Sequence, residues 1–253
     1  PWELASMIKE NRENEEDKET ISEYIEIKTE EDLLKIKSEN GTKYNIMNDI
    51  NLANKHQSIP VFDNLEIDGG GHTIEHLEEW SGLFNCVNET YVKVSIKDIN
   101  LKVESIAEEM GGILSNNVEP SHSYTKKGDI KIENCSVKGN IKKEGGGIFG
   151  RNTNCNFSMT IINCYSEGTI NEGAGGICGR SFGNYDVTGS CIIKNCYSNG
   201  NIDKYAGGIC GKSGGSNNGK YYIMNCYSLG YINEKAGGIV GNSSSNFTIT
   251  NCY

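Results

Sequence analysis

Proline is nearly absent, with 3 residues in 253 against 31 glycines. That rules out a proline-rich linker, and the glycines recur at intervals instead of clustering in low-complexity runs. Arginine is equally scarce, at positions 12, 151 and 180, and the 24 basic residues are scattered among 34 acidic ones. A net charge of −10 without a basic cluster argues against a nucleic-acid surface, which needs a concentrated cationic face, and favours solubility instead. No apolar run approaches the ~20 residues of a membrane-spanning helix. The opening PWELASMIKEN shows no basic stretch followed by an apolar one, so no signal peptide is expected within it. The histidines are only four, at 56, 72, 76 and 122, which leaves little for metal or nucleophile chemistry.

What the chain does have is a repeat. NCYSEGTINEGAGGICG (163–179) returns as NCYSNGNIDKYAGGICG (195–211) and NCYSLGYINEKAGGIVG (225–241). The Cys of each Asn-Cys pair falls at 135, 164, 196, 226 and 252, in steps of 29, 32, 30 and 26. The Ile of each Gly-Gly-Ile falls at 113, 148, 177, 209 and 239, and lies 13 residues beyond its Cys in every complete copy. The return to the next Cys varies, at 16, 19 and 17 residues. A constant half reads as stacked framework and a variable half as a loop. SGLF at 81–84 fills the Gly-Gly-Ile slot once more.

Within the constant half the period is two. Counting from Cys, Ile occupies −3 at 132, 161, 193, 223 and 249, Gly occupies +4, and Ile +6. The wealth of Gly, Asn, Ser and β-branched residues disfavours helix. These features predict an all-β fold, a right-handed parallel β-helix of about six coils spaced ~4.8 Å apart. A single coil cannot bury its inner face. Stacked copies can, and that is why the sequence repeats.

Three segments are expected. Residues 1–20 read as an acidic tail or frayed helix. Residues 21–60 hold a strand, ISEYIEI (21–27), a helix capped by Thr29 and stopped by Gly41, and a second strand, YNIMNDINL (44–52). The helix is expected to cap the first coil, since an open solenoid end is a sticky edge. Residues 61–253 form the β-helix. Its last unit breaks at Cys252–Tyr253, so continuation beyond Tyr253 or end-to-end stacking of another copy is expected there.

Four sets of residues are candidates for a site or a ladder. Asn134, Asn163, Asn195 and Asn225 precede the cysteines. Asn tolerates left-handed backbone, and stacked amides can hydrogen-bond along a corner. The paired glycines mark another corner. Cys135, Cys164, Cys196 and Cys226 read as a core ladder of small thiols; disulfides and a metal site are the alternatives. Against metal, the nearest pair in sequence, Cys191 and Cys196, lacks CxxC spacing. HTIEH (72–76) has the form of an inverted zinc-protease motif, but on a strand its histidines stand about 13 Å apart. Glu167, Glu172, Asp203 and Glu234 read as solvated, with no carboxylate pair for glycoside chemistry. Tyr165, Tyr197, Tyr227 and Tyr253 follow the cysteines and point outward if the thiols point inward. They form either a self-packing ladder or a binding platform.

The Gly-Gly-Ile copies, with IDGGGHTI and the stretch around it, resemble the glycine-rich GLUG-type repeat of bacterial surface proteins. The same repeat is found in the β-helical N-terminal region of bacterial IgA metalloproteases. The resemblance covers roughly 25–253 and implies a non-catalytic structural or adhesin-like solenoid, on a cell surface or virion, binding protein or glycan. A carbohydrate-active β-helix, or an accessory domain of a larger secreted protease, is the alternative. No catalytic residue, cofactor or metal is expected. The ten cysteines depart from the usual copies and make a reducing intracellular compartment the alternative location. The loops at 115–130, 151–160, 180–191 and 212–221 are further candidate binding tips.

Overall fold

The computed structural model describes residues 24–39, 41–53, 57–87, 91–116, 126–151, 155–182, 190–215, 220–242 and 246–253. The expected tail at 1–20 lies outside them, as do His56, His122 and the tips 117–125, 152–154, 183–189 and 216–219 of the four candidate loops.

The fold is all-β apart from one short helix, and every strand pairing is parallel. Nine strands form the first sheet: Ile25–Ile27, Lys43–Ile46, Leu65–Asp68, Tyr91–Lys97, Lys126–Glu133, Cys155–Ile162, Ser190–Lys194, Lys220–Met224 and Phe247–Thr250. Seven form the second: Ile50–Asn51, Thr73–Trp80, Asn100–Ile106, Ser136–Ile141, Tyr165–Glu167, Tyr197–Asn199 and Tyr227–Leu229. The third holds Ile59–Val61, Phe84–Cys86 and Leu114–Ser115, and continues as single bridges through Phe149, Cys178, Cys210 and Val240. Each repeat visits the three sheets in the same order, so each is one rung that pairs only with the rungs before and after it.

Register follows the repeat. Ile132, Ile161, Ile193, Ile223 and Ile249 pair in succession along the first sheet, and the first four are fully buried. Ile141, Ile170, Ile202 and Ile232 do the same beyond the second sheet. A like residue above and below lets each branched side chain repeat one rotamer and pack without voids.

From Glu133 onward the chain turns from the first sheet to the second at one asparagine per rung; the two rungs before turn at Gly70–Gly71 and at Asp98. Asn134, Asn163, Asn195, Asn225 and Asn251 all lie at φ 52–55°, in the left-handed region. Asn163 Nδ2 donates to Asn134 Oδ1 at 3.0 Å, Asn195 to Asn163 at 3.1 Å, and Asn225 to Asn195 at 3.1 Å. Asp98, itself at φ 56°, ends the ladder by accepting from Asn134 Nδ2 at 3.0 Å.

The interior is thin. A Cβ added to Gly176, the second glycine of its Gly-Gly-Ile, would meet Ser198 Cβ at 2.5 Å and Gly208 O at 2.1 Å. Ser166 and Ser198 approach from the second sheet, so only glycine fits opposite them.

Two expectations need correction. The helix spans Glu30–Leu34 only, ending well short of Gly41. Thr29 caps it: Thr29 Oγ1 accepts from Asp32 N at 3.2 Å, and Asp32 Oδ2 accepts from Thr29 N at 3.1 Å. One turn has no stability of its own. The following residues leave the helix because other contacts win. Tyr44 Oη donates to Lys37 O at 2.8 Å, and Ser38 Oγ accepts from Phe62 N at 2.7 Å. The expected strand 44–52 is two strands, Lys43–Ile46 and Ile50–Asn51, in different sheets. The corner between them is tied down by Met47 N donating to Ile27 O at 2.8 Å and Asn48 Nδ2 donating to Lys28 O at 3.1 Å.

Asn195→Ala loses two ladder bonds and forces a Cβ residue without a local polar partner to stay left-handed, at a cost of about 2–3 kcal/mol. Asn195→Gly loses the bonds but relieves the backbone, so urea unfolding should find it about 1 kcal/mol more stable than the alanine variant. Equal losses would show that the left-handed turn imposes no cost.

Candidate functional site

The thiol ladder lies just inside the asparagine corner. Cys135, Cys164, Cys196 and Cys226 are fully buried, and they are free thiols, as are Cys86, Cys178, Cys191, Cys210 and Cys252. Backbone N–H groups at this corner find their acceptor in sulfur. Cys135 N donates to Cys164 Sγ at 3.4 Å, Cys164 N to Cys196 Sγ at 3.4 Å, and Cys196 N to Cys226 Sγ at 3.5 Å. Each sulfur in turn lies 3.2 Å from the carbonyl two residues back: Glu133, Ile162, Lys194 and Met224. Those carbonyls already accept from a backbone N–H of the preceding rung, so the thiol's distinctive part is the acceptor it gives to a backbone N–H that an alkyl side chain would leave unpaired. Burial pushes the Cys178 and Cys196 thiols up, and Cys191 up to about 12. Sharing hydrogen bonds with neighbouring thiols raises Cys164 and Cys226. Such thiols are poor nucleophiles and metal ligands, and resist oxidation.

The tyrosines form a continuous stack outside this corner. Ring centroids are 4.9 Å apart for Tyr165–Tyr197, 5.0 Å for Tyr197–Tyr227 and 5.3 Å for Tyr227–Tyr253, with interplanar angles of 3°, 2° and 8°. Tyr165, Tyr197 and Tyr227 are half-buried, and Tyr253 is 77% exposed. The rings cover each other's faces, so the row presents its rim to solvent. A sugar ring that needs a free aromatic face finds none between these rungs. Burial, then the flanking phenols, raise the Tyr197 hydroxyl, which keeps it a protonated donor at neutral pH.

HTIEH runs from His72, just before the strand Thr73–Trp80, to His76 within it, and its histidines have separate partners. His72 Nδ1 is 3.3 Å from Asp49 Oδ1. His76 is buried, with Nδ1 3.0 Å from Leu52 O, which makes Nδ1 the protonated nitrogen; its ring packs 5.4 Å from that of Trp80. Among the described residues, no three His, Cys, Asp or Glu side chains are grouped to hold a metal ion. Glu172 and Glu234 are exposed, and Glu167 and Asp203 half-buried.

The structure does gather one charged cluster that reading along the sequence missed. Glu144 is 6% exposed and sits left-handed at φ 60°, in the turn between the second and third sheets. Arg180 Nη1 donates to its two oxygens at 2.7 and 2.8 Å, Lys212 Nζ lies 3.1 Å away, and Arg151 Nη1 3.5 Å. Arg151 also pairs with Glu109. The signal was positional: Arg151, Arg180 and Lys212 each fall 16 residues after a repeat cysteine (135, 164 and 196), and so stack in one column. Gly173 fills the slot one rung beyond Glu144, and the Lys212 side chain passes over it; a Cβ there would meet Lys212 Cδ at 3.1 Å. Burial pushes the Glu144 carboxyl up, but bonds from Arg180 and Lys212 outweigh it and hold the group below the usual carboxylate range. A carboxylate so held neither donates nor takes a proton near neutrality. Its chemistry is to clamp three rungs together.

Glu144→Gln leaves Arg180 and Lys212 without their shared anion and should cost about 1–3 kcal/mol at pH 7. A lowered carboxyl stabilises the fold fully above the unfolded value, here 4.5, and loses that contribution as pH falls through the folded value. The deficit of the variant should therefore shrink below pH 4.5 in denaturant titrations. A deficit constant with pH would contradict the ion-pair account.

No protein-family model matches the chain, and no curated protein matches it. Among solved structures, a putative immunoglobulin A1 protease from Bacteroides ovatus is similar over 92% of this chain and 76% of its own, with a TM-score of 0.68 and 24% sequence identity. At that identity the likeness is one of fold: this chain and the Bacteroides protein share an architecture of stacked parallel strands.

Proposed function

We propose that the chain is a right-handed parallel β-helix that serves as a non-catalytic binding or adhesive repeat domain. Each connection that returns to a parallel strand of the same sheet is right-handed in nearly all proteins, which supports the hand. The observation that carries the binding role is the tyrosine stack. Register repeats one hydroxyl about every 5 Å along a straight outer row. Such a row suits an extended partner, protein or glycan, that meets several hydroxyls at once. The absence of catalysis is supported by the state of the candidate groups. Glu144 is held ionised by cations, and the thiols are raised and buried. Shielded thiols also suit a cell-surface or virion setting, where exposed ones would be oxidised. No helix among the described residues is long and apolar enough to cross a membrane.

The Bacteroides neighbour favours a second reading, an accessory domain of a larger protease that holds its substrate while another domain cuts. Immunoglobulin A1 is then the first protein to offer.

A triple variant, Tyr165→Phe, Tyr197→Phe and Tyr227→Phe, keeps the stack and removes the hydroxyls. Binding should be measured by interferometry against a glycan array and a protein set that includes immunoglobulin A1. The wild type should bind without cleaving, and the variant should bind at least one of its probes about tenfold more weakly while unfolding at the same urea concentration. Cleavage of any probe, or undiminished binding by the variant of every probe that the wild type binds, would overturn this reading.

A further inference from the structure

The outer face of the second sheet is not flat. Pairing of Thr73–Trp80 with Asn100–Ile106 slips between His76 and Glu79, and pairing of Ser136–Ile141 with the same strand slips between Lys138 and Asn140. Each slip is a bulge that bends its strand. Between the bends lies a groove of about 430 Å³ that runs from Glu79 across successive rungs to Asn171.

The groove is lined by groups whose orientation the fold sets. Asn140 Oδ1 accepts from Thr169 N at 3.1 Å, which leaves Asn140 Nδ2 as the free donor end. Asn171 Nδ2 donates to Ile141 O at 2.7 Å, which leaves Asn171 Oδ1 as the free acceptor end. One rung thus presents a fixed donor and the next a fixed acceptor. Ser105 is only 8% exposed, yet its hydroxyl borders the groove without a partner among the described residues. Thr169 adds a second hydroxyl. Of the charged groups, Lys142 pairs with Glu79 across the groove, and Glu104 makes no ion pair among the described residues. Two carboxylates against one ammonium leave a net charge of −1.

Fixed donors and acceptors, hydroxyls and a slight negative charge match a polyhydroxylated neutral chain and repel an anionic one. We propose that this groove is a binding site for a neutral oligosaccharide. The proposal rests on the reading of the chain as a binding domain and gives that reading a ligand class and a second location. Thr169 lies four residues past Tyr165 along the same rung, about 13 Å for extended chain, so a saccharide in the groove need not touch the tyrosine row.

The test is calorimetric titration of the full chain with neutral gluco-, xylo-, manno- and galacto-oligosaccharides and with oligogalacturonate as the acidic counterpart. Two groove variants, Thr169→Arg and Glu104→Ala, change exposed positions, and their urea unfolding checks the fold. At least one neutral probe should bind in preference to the acidic one. Thr169→Arg, which fills the groove, should weaken it by about tenfold or more, and Glu104→Ala by less. The tyrosine-to-phenylalanine triple variant should bind that probe as the wild type does. No binding of any neutral probe, or preference for the acidic one, would overturn the groove proposal. Loss in the tyrosine variant with retention in Thr169→Arg would also overturn it, and would place the saccharide on the tyrosine row instead.

Discussion

The regular repeats from Asn134 onward depend on a left-handed asparagine recurring once per rung. At φ near 54° the backbone turns sharply enough to leave the first sheet and enter the second, a conformation that Asn accepts at low cost and β-branched residues do not. Once the turn is made, the side chain has one place to go. It lies along the stacking axis and bonds the amide of the preceding rung. The next residue is driven inward at a spot where its own backbone N–H lacks a strand partner. Cysteine sulfur of the following rung accepts from it. The residue after it must face outward, and tyrosine stacks there on its own copies. The Asn-Cys-Tyr triplet is therefore one structural device with three outputs: a turn, a satisfied corner and an outer stack.

The thin interior sets the second constraint. Glycine faces serine across the core at Gly176 and Ser198, where not even a Cβ fits. On the outer faces and at corners the repeat offers rows of like groups. Sequence drift along a row then creates difference. A glycine at 173 amid acidic and aromatic residues lets Lys212 reach Glu144, and the bulge after Lys138 turns a flat face into a groove.

The framework was legible because its residues are forced by stacking. The constant step of 13 from Cys to Ile, the Asn before each Cys and the isoleucine at −3 all carry the register, and a period of two separates strand from helix. The misread parts lie where tertiary contact overrides local signal. Glu30–Leu34 stops early because Tyr44 and Phe62 capture the residues that follow. The pattern 44–52 alternates across a corner that alternation alone does not reveal. The Glu144 cluster was missed because Arg180 lies 36 residues and Lys212 68 residues beyond Glu144, and Arg151 lies 42 beyond Glu109, and only a column count from each cysteine brings them together.

The most direct test of the account is a double-mutant cycle on the asparagine ladder. Asn163→Ser and Asn195→Ser, singly and together, probe two adjacent rungs. Asn134→Ser and Asn225→Ser probe two that do not touch. If the amides bond in succession, the adjacent pair should show a coupling of about 0.5–1 kcal/mol in urea unfolding and the separated pair should be additive within about 0.3 kcal/mol. Additivity in both pairs would contradict the ladder, and with it the claim that stacking at this corner holds the rungs in register.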